Sequence, residues 1–171
     1  MESSLGLALQ ERSIRELEDA LREPDSGRVL GLFAGLSARR SSWDGVFLSE
    51  RSAEARYTYN LGLVNSNFQA LEFKAAYEHP FFPGLKLGLK AGADYRPDAP
   101  AAFEENPASV GITVLPSAFS AAVMAGGSTG LEGRLVRFPF GVLAGLLSYQ
   151  ALYSDGPLLG ERLDHGPAAG I

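Results

Sequence analysis

The stretch "GLKLGLKAGADYR", residues 84–96, obeys a strict period of two. Leu85, Leu87, Leu89, Ala91, Ala93 and Tyr95 form one set. Gly84, Lys86, Gly88, Lys90, Gly92, Asp94 and Arg96 form the other. Alternate residues of an extended chain point to opposite faces, so this is a strand that is apolar on one side and both charged and glycine-rich on the other. Three earlier segments repeat the rule. In 28–40, Leu30, Leu32, Ala34, Leu36 and Ala38 oppose glycines, a serine and Arg39, with Val29 and Phe33 among them. In 53–64, Ala55, Tyr57, Tyr59, Leu61 and Leu63 oppose Glu54, Arg56, Thr58, Asn60 and Gly62. In 68–78, Leu71, Phe73, Ala75 and Tyr77 oppose Ala70, Glu72, Lys74, Ala76 and Glu78.

Short connections make these strands antiparallel neighbours. "NSN" (65–67) and "HPFFP" (79–83) read as hairpin loops. With five residues in the second loop, Glu78 stands opposite Gly84 and Glu72 opposite Lys90, while Tyr77 meets Leu85 and Phe73 meets Leu89. "PDAPAAFEENPA", 97–108, reads as a long exposed loop. Segments 109–115, 117–127, 129–138 and 140–153 read as further strands, with breaks at Pro116 and Pro139, and "ERLDHGPAAGI" opens one more. Before all of these, "SIRELEDALRE", 13–23, has the capping box of a helix in Ser13 and Glu16, with Ile14, Leu17 and Leu21 as its apolar stripe. The organisation expected is therefore an N-terminal helix and linker over 1–27 and antiparallel barrel strands over 28–171, incomplete at the C-terminus.

The fold class expected is all-β: an antiparallel up-and-down transmembrane β-barrel, or part of one, with a short N-terminal helix. A soluble sandwich also alternates, but glycine weakens its strands. Here 20 of 171 residues are glycine, and they share a face with charges of both signs. That mixture suits a barrel lumen, and a Leu/Ala/Val face with tyrosines near segment ends suits lipid. The competing architecture is a small soluble antiparallel barrel that binds an apolar ligand inside, with the faces reversed. Transmembrane helices are the third. Residues 106–131 and 138–154 carry no Asp, Glu, Lys or Arg, but Pro116, Pro139 and many glycines and serines interrupt them.

Chemistry-bearing motifs are sparse. A net charge of −5 spread along the chain speaks against a nucleic-acid partner. The absence of cysteine removes disulfides and thiolate metal sites. "GGSTG", 126–130, has the letters of a nucleophile elbow around Ser128, but an alternating strand follows where a helix is required, so it reads as a glycine-rich turn. His79 has no partner at metal-ligand spacing, and His165 beside Asp164 reads as a turn histidine. No enzyme activity, cofactor or metal is expected. The lumen-lining candidates are Glu54, Arg56, Glu72, Lys74, Lys86, Lys90, Asp94, Arg96, Glu132 and Arg134, read as a ladder of neutralising charges.

Two stretches resemble a known family. "FQALEFKAAYEHPFFPGLKLGLKAGADY", 68–95, is similar to a strand pair in the carboxy-terminal barrel of the bacterial surface antigen family. "GLEGRLVRFPFGVLAGLLSYQALYSDG", 130–156, resembles that family's late strands: Glu132 and Arg134 fall in a leucine-glutamate-x-arginine strand, and Asp155-Gly156 end the next. "HGPAAGI", 165–171, resembles the opening of a further strand. The superfamily includes outer-membrane insertases, two-partner secretion transporters and barrels fused to patatin-like phospholipases. Its insertases carry a valine-arginine-glycine-aromatic motif on a lumen loop, where this chain has "SVGITVL" without arginine. The resemblance thus implies a bacterial outer-membrane barrel for anchoring, assembly or passage. Its partners would be the lipid bilayer and further strands or domains of the same protein. It transfers no functional residue.

Overall fold

A computed structural model describes residues 1–14, 25–43, 45, 47–63, 67–105, 107–112, 121–156 and 160–170. Eight strands form one antiparallel sheet in sequence order: β1 (Glu2–Ile14), β2 (Asp25–Trp43), β3 (Leu48–Gly62), β4 (Phe68–Phe82), β5 (Leu85–Tyr95), β6 (Val123–Phe138), β7 (Gly141–Asp155) and β8 (Arg162–Gly170). Each strand pairs only with its neighbours in the chain, so β1 and β8 are the two edges and the sheet is not closed. Among the described residues no helix is long and apolar enough to cross a membrane.

The alternation of the sequence becomes the two faces of this sheet. Apolar side chains stand exposed on the outer face from β1 to β8: Leu5, Leu32, Tyr57, Leu71, Leu89, Leu131, Leu147 and Leu163 are one from each strand. The inner face carries Asn60, Lys86, Asp94, Gln150 and Ser154, all buried. Phe47, just before β3, lies over Lys86, and much of the rest of the face is covered by the connection between β5 and β6. It folds onto the inner face through two 3₁₀ turns, Ala101–Phe103 and Pro107–Val110. Two apolar clusters fasten it. Val29 and Phe68 meet Ala102 and Phe103, with the Phe68 and Phe103 rings 5.5 Å apart. Met124 and Leu152 meet Val110, Ile112 and Ala121. The apolar residues that interrupt the polar face are thus the seats of the inserted segment.

Several expectations change here. The chain before residue 28 is not an appendage: Glu2–Ile14 is a full strand of the same sheet, paired to β2 from Glu2↔Ser37 to Ile14↔Asp25. Leu5, Leu7 and Leu9 alternate as the later strands do. Of the expected helix 13–23, Ser13 and Ile14 belong to β1, and 15–23 lie outside the described residues. The expected exposed loop 97–108 is folded inward, with Phe103 fully buried. Ser109 and Val110 of the expected strand 109–115 lie in a 3₁₀ turn, and 113–115 lie outside the described residues. Of the expected strand 117–127, 117–120 lie outside the described residues, Ala121 makes an isolated bridge to Glu105, and β6 begins at Val123. "GGSTG" is the middle of β6 and neither turn nor elbow. His165 lies within β8, opposite Ala151, and its Nδ1 hydrogen-bonds the Tyr149 hydroxyl.

The β4–β5 register also differs from expectation. β4 runs on through "HPFF" to Phe82, and only Pro83-Gly84 turn. Gly84 has φ +91°, as the third position of a type II turn demands, and proline suits the second. That turn does not match strand twist, and the register shift between Pro80 and Phe82 takes up the mismatch. Glu78 therefore faces Gly88, Ala76 faces Lys90, and Glu72 faces Asp94.

Candidate functional site: the charged inner face

The register stacks the inner residues of β3, β4, β5 and β6 in rows. One row runs Arg56, Glu72, Asp94, Met124. Two carboxylates directly opposite repel, yet Glu72 and Asp94 are held so by Arg96, just past the end of β5. Its guanidinium donates to Glu72 at 2.6 Å and to both oxygens of Asp94, at 2.7 and 3.1 Å. It also reaches the Phe103 carbonyl at 3.3 Å and Glu105 at 3.1 Å. Asp94 is 3% exposed and Arg96 6%. A buried guanidinium needs several acceptors around its planar fork, and here they come from the wall and the inserted segment alike. Arg96 is the clasp between them.

A second cluster lies nearer the other end. Lys86 is 8% exposed. Its ammonium sits 3.3 Å from Glu78, 3.1 Å from Glu132 and 3.2 Å from the Leu48 carbonyl, 5.4 Å from the Phe47 ring centre. Between the clusters, a cavity is bounded by Glu54, Lys74, Lys90 and, from the inserted segment, Ala108, Ser109 and Gly111. Glu54 stands opposite Lys74 across β3 and β4 and 3.6 Å from Arg56. The Arg56 guanidinium also lies 5.2 Å from the Phe33 ring centre.

All ten lumen candidates therefore fall on the inner face of the sheet or, for Arg96, fold against it. Arg134, two residues on from Glu132, lies at its rim, exposed near the β4–β5 turn, its backbone N–H donating to the Gly84 carbonyl at 2.6 Å. Glu78, Glu105 and Phe103 were not among the sequence candidates. Glu78 was legible as a member of the polar face. Glu105 and Phe103 were not, because nothing in a proline-rich polar stretch signals that it folds inward. Glycine explains the rest of the face. A Cβ on Gly92 would lie 2.7 Å from the Val110 carbonyl oxygen, and one on Gly126 2.9 Å from Ile112. At these two positions the wall is glycine where the inserted segment touches it, through the Val110 backbone at one and the Ile112 side chain at the other.

Among the described residues no group of three His, Cys, Asp or Glu side chains is placed to hold a metal ion. The charges pair with each other and tie the inserted segment to the wall. No protein-family model matches the chain, and no curated protein or solved structure matches it.

Proposed function

We propose that this chain is a bacterial outer-membrane β-barrel protein, or a portion of one, whose charged inner face lines a plugged lumen and whose outer face meets lipid. Its work is anchoring, assembly or passage across the membrane, and it is not an enzyme. One observation carries the reading: every strand presents exposed leucine or tyrosine on the face away from the inserted segment, while the lysines, arginines, aspartate and glutamates of the lumen set gather on the opposite face, where Asp94 and Arg96 are buried beneath that segment. Soluble proteins rarely expose contiguous apolar patches beyond ~600 Å², and an eight-strand-wide apolar face has no aqueous role. The same observation disfavours the soluble barrel with an apolar interior, which needs Leu85, Leu87 and Leu89 on the side that Lys86 and Asp94 occupy.

The chain contains a single tryptophan, Trp43, exposed at the end of β2. In vesicles its fluorescence should be quenched by lipids brominated near the headgroup more strongly than by lipids brominated at the chain ends. In plain buffer the protein should aggregate. A folded, monodisperse preparation at high concentration without detergent overturns the proposal.

A further inference from the structure

The outer face is not uniformly apolar. Near the end bearing the short β4–β5 and β6–β7 turns, Arg40 on β2 stands directly opposite Arg51 on β3. Both residues are exposed. Like charges directly opposite are destabilising, and no carboxylate among the described residues pairs with either. At the other end the outer face treats an arginine differently: Arg28 stands opposite Glu11 and binds it at 2.9 Å. Arg51 is packed, not dangling. Its guanidinium lies 4.9 Å from the centre of the Tyr77 ring, which continues the row on β4. A flat cation held on an aromatic face is preorganised to bind an anion on its free edge.

The surroundings say which anion. Tyr77, His79 and Phe81 follow each other along the outer face of β4 in ring contact. Phe138 and Phe140 stack at the β6–β7 turn, and Trp43 and Phe82 are exposed beside the other turns. Such an aromatic girdle marks the membrane–water boundary. A strand crosses the apolar core in ~9–11 residues, and β3 has 15, so Arg51, its fourth residue, falls at headgroup depth. There an arginine is tolerated far better than at mid-depth. Short turns belong to the periplasmic side of outer-membrane barrels, the side of the phospholipid leaflet.

Resting on the membrane reading above, the geometry points to Arg40 and Arg51 as a binding site for the phosphodiester of an anionic phospholipid, with Tyr77 as its backstop. The lipid supplies the negative charge that no carboxylate among the described residues brings to these two arginines. A zwitterionic choline lipid carries the same phosphate, but its ammonium is repelled by two arginines.

The test uses the full chain in detergent, titrated with phosphatidylglycerol or phosphatidylcholine and followed by native mass spectrometry. Phosphatidylglycerol adducts should appear on the wild type at tenfold or more lower lipid concentration than on Arg40→Gln or on the Arg40→Gln/Arg51→Gln double variant. Arg28→Gln, which loses an arginine already neutralised, should bind as the wild type does. Arg40→Gln removes the like-charge contact, so without anionic lipid it should unfold at the same or a higher temperature, and a folding defect cannot mimic the result. Equal retention of the two lipids, or equal loss in Arg28→Gln, overturns the site. Flotation with phosphatidylcholine vesicles separates the two proposals: failure to insert overturns the membrane reading, whereas insertion without phosphatidylglycerol preference overturns the lipid site alone.

Discussion

Gly92 shows how a single position on the wall is fixed by a segment remote in the chain. Its neighbours on the polar face are Lys90 and Asp94, and the strand would pair as well with alanine there. The missing Cβ matters because the Val110 backbone would lie 2.7 to 3.0 Å from it, and a backbone cannot swing aside as a flexible side chain can. Gly92→Ala should push the 107–112 turn off the wall, at about 1–3 kcal/mol for an overpacked contact. Limited proteolysis between residues 97 and 112 should speed up severalfold. Gly88→Ala, whose added methyl would come no nearer than 3.9 Å to its nearest neighbour, the Gly130 carbonyl oxygen, should leave the cleavage rate unchanged. Equal rates for Gly92→Ala and the wild type would refute this account of the glycines. At this scale the sequence was half legible. Period two placed Gly92 on the charged face, but which glycines are contacts depends on Val110 and Ile112, and no local pattern announces where those fold.

At the scale of the element, the β4–β5 hairpin separates what alternation determines from what it leaves free. Alternation assigns Glu72, Lys74, Lys86 and Lys90 to one face in any register that shifts by two. Register is the turn's business. "HPFFP" contains two prolines and reads as a loop, yet its aromatics extend β4, and the Pro83-Gly84 dipeptide makes the turn. A cross-strand charge argument favours Glu72 opposite Lys90. The fold places Glu72 opposite Asp94 and satisfies both through Arg96, a third partner that pairwise reasoning along two strands does not contain. The register is measurable because the chain has no cysteine of its own. Ala75→Cys with Ala91→Cys, directly opposite in the structure, should cross-link readily on oxidation. Ala75→Cys with Leu87→Cys, opposite if five residues formed the loop, should not. The reverse outcome would return the hairpin to the looser turn.

For the whole molecule the decisive fact is that a sheet eight strands wide leaves β1 and β8 as edges. On the proposed membrane reading, an unpaired edge leaves backbone groups without partners at several kcal/mol each, so that reading requires both edges to be covered. Pairing β1 with β8 would close an eight-stranded barrel, whose interior is just wide enough for its own side chains. This inner face already holds Ala102, Phe103, Val110 and Ile112 of the inserted segment, packed against Val29, Phe68, Met124 and Leu152. Wall and insert cannot share so narrow a bore. The same reading therefore expects a native barrel with further strands, from the same polypeptide or from another chain. With cysteines at Leu7 and Leu163, outer-face positions on the two edge strands, no intramolecular cross-link should form in the reconstituted native protein. Amide exchange in β1 and β8 should nonetheless be as slow as in β4, because added strands protect both edges. An efficient intramolecular β1–β8 cross-link would mean that eight strands close on themselves and that the 97–112 segment leaves the lumen when they do.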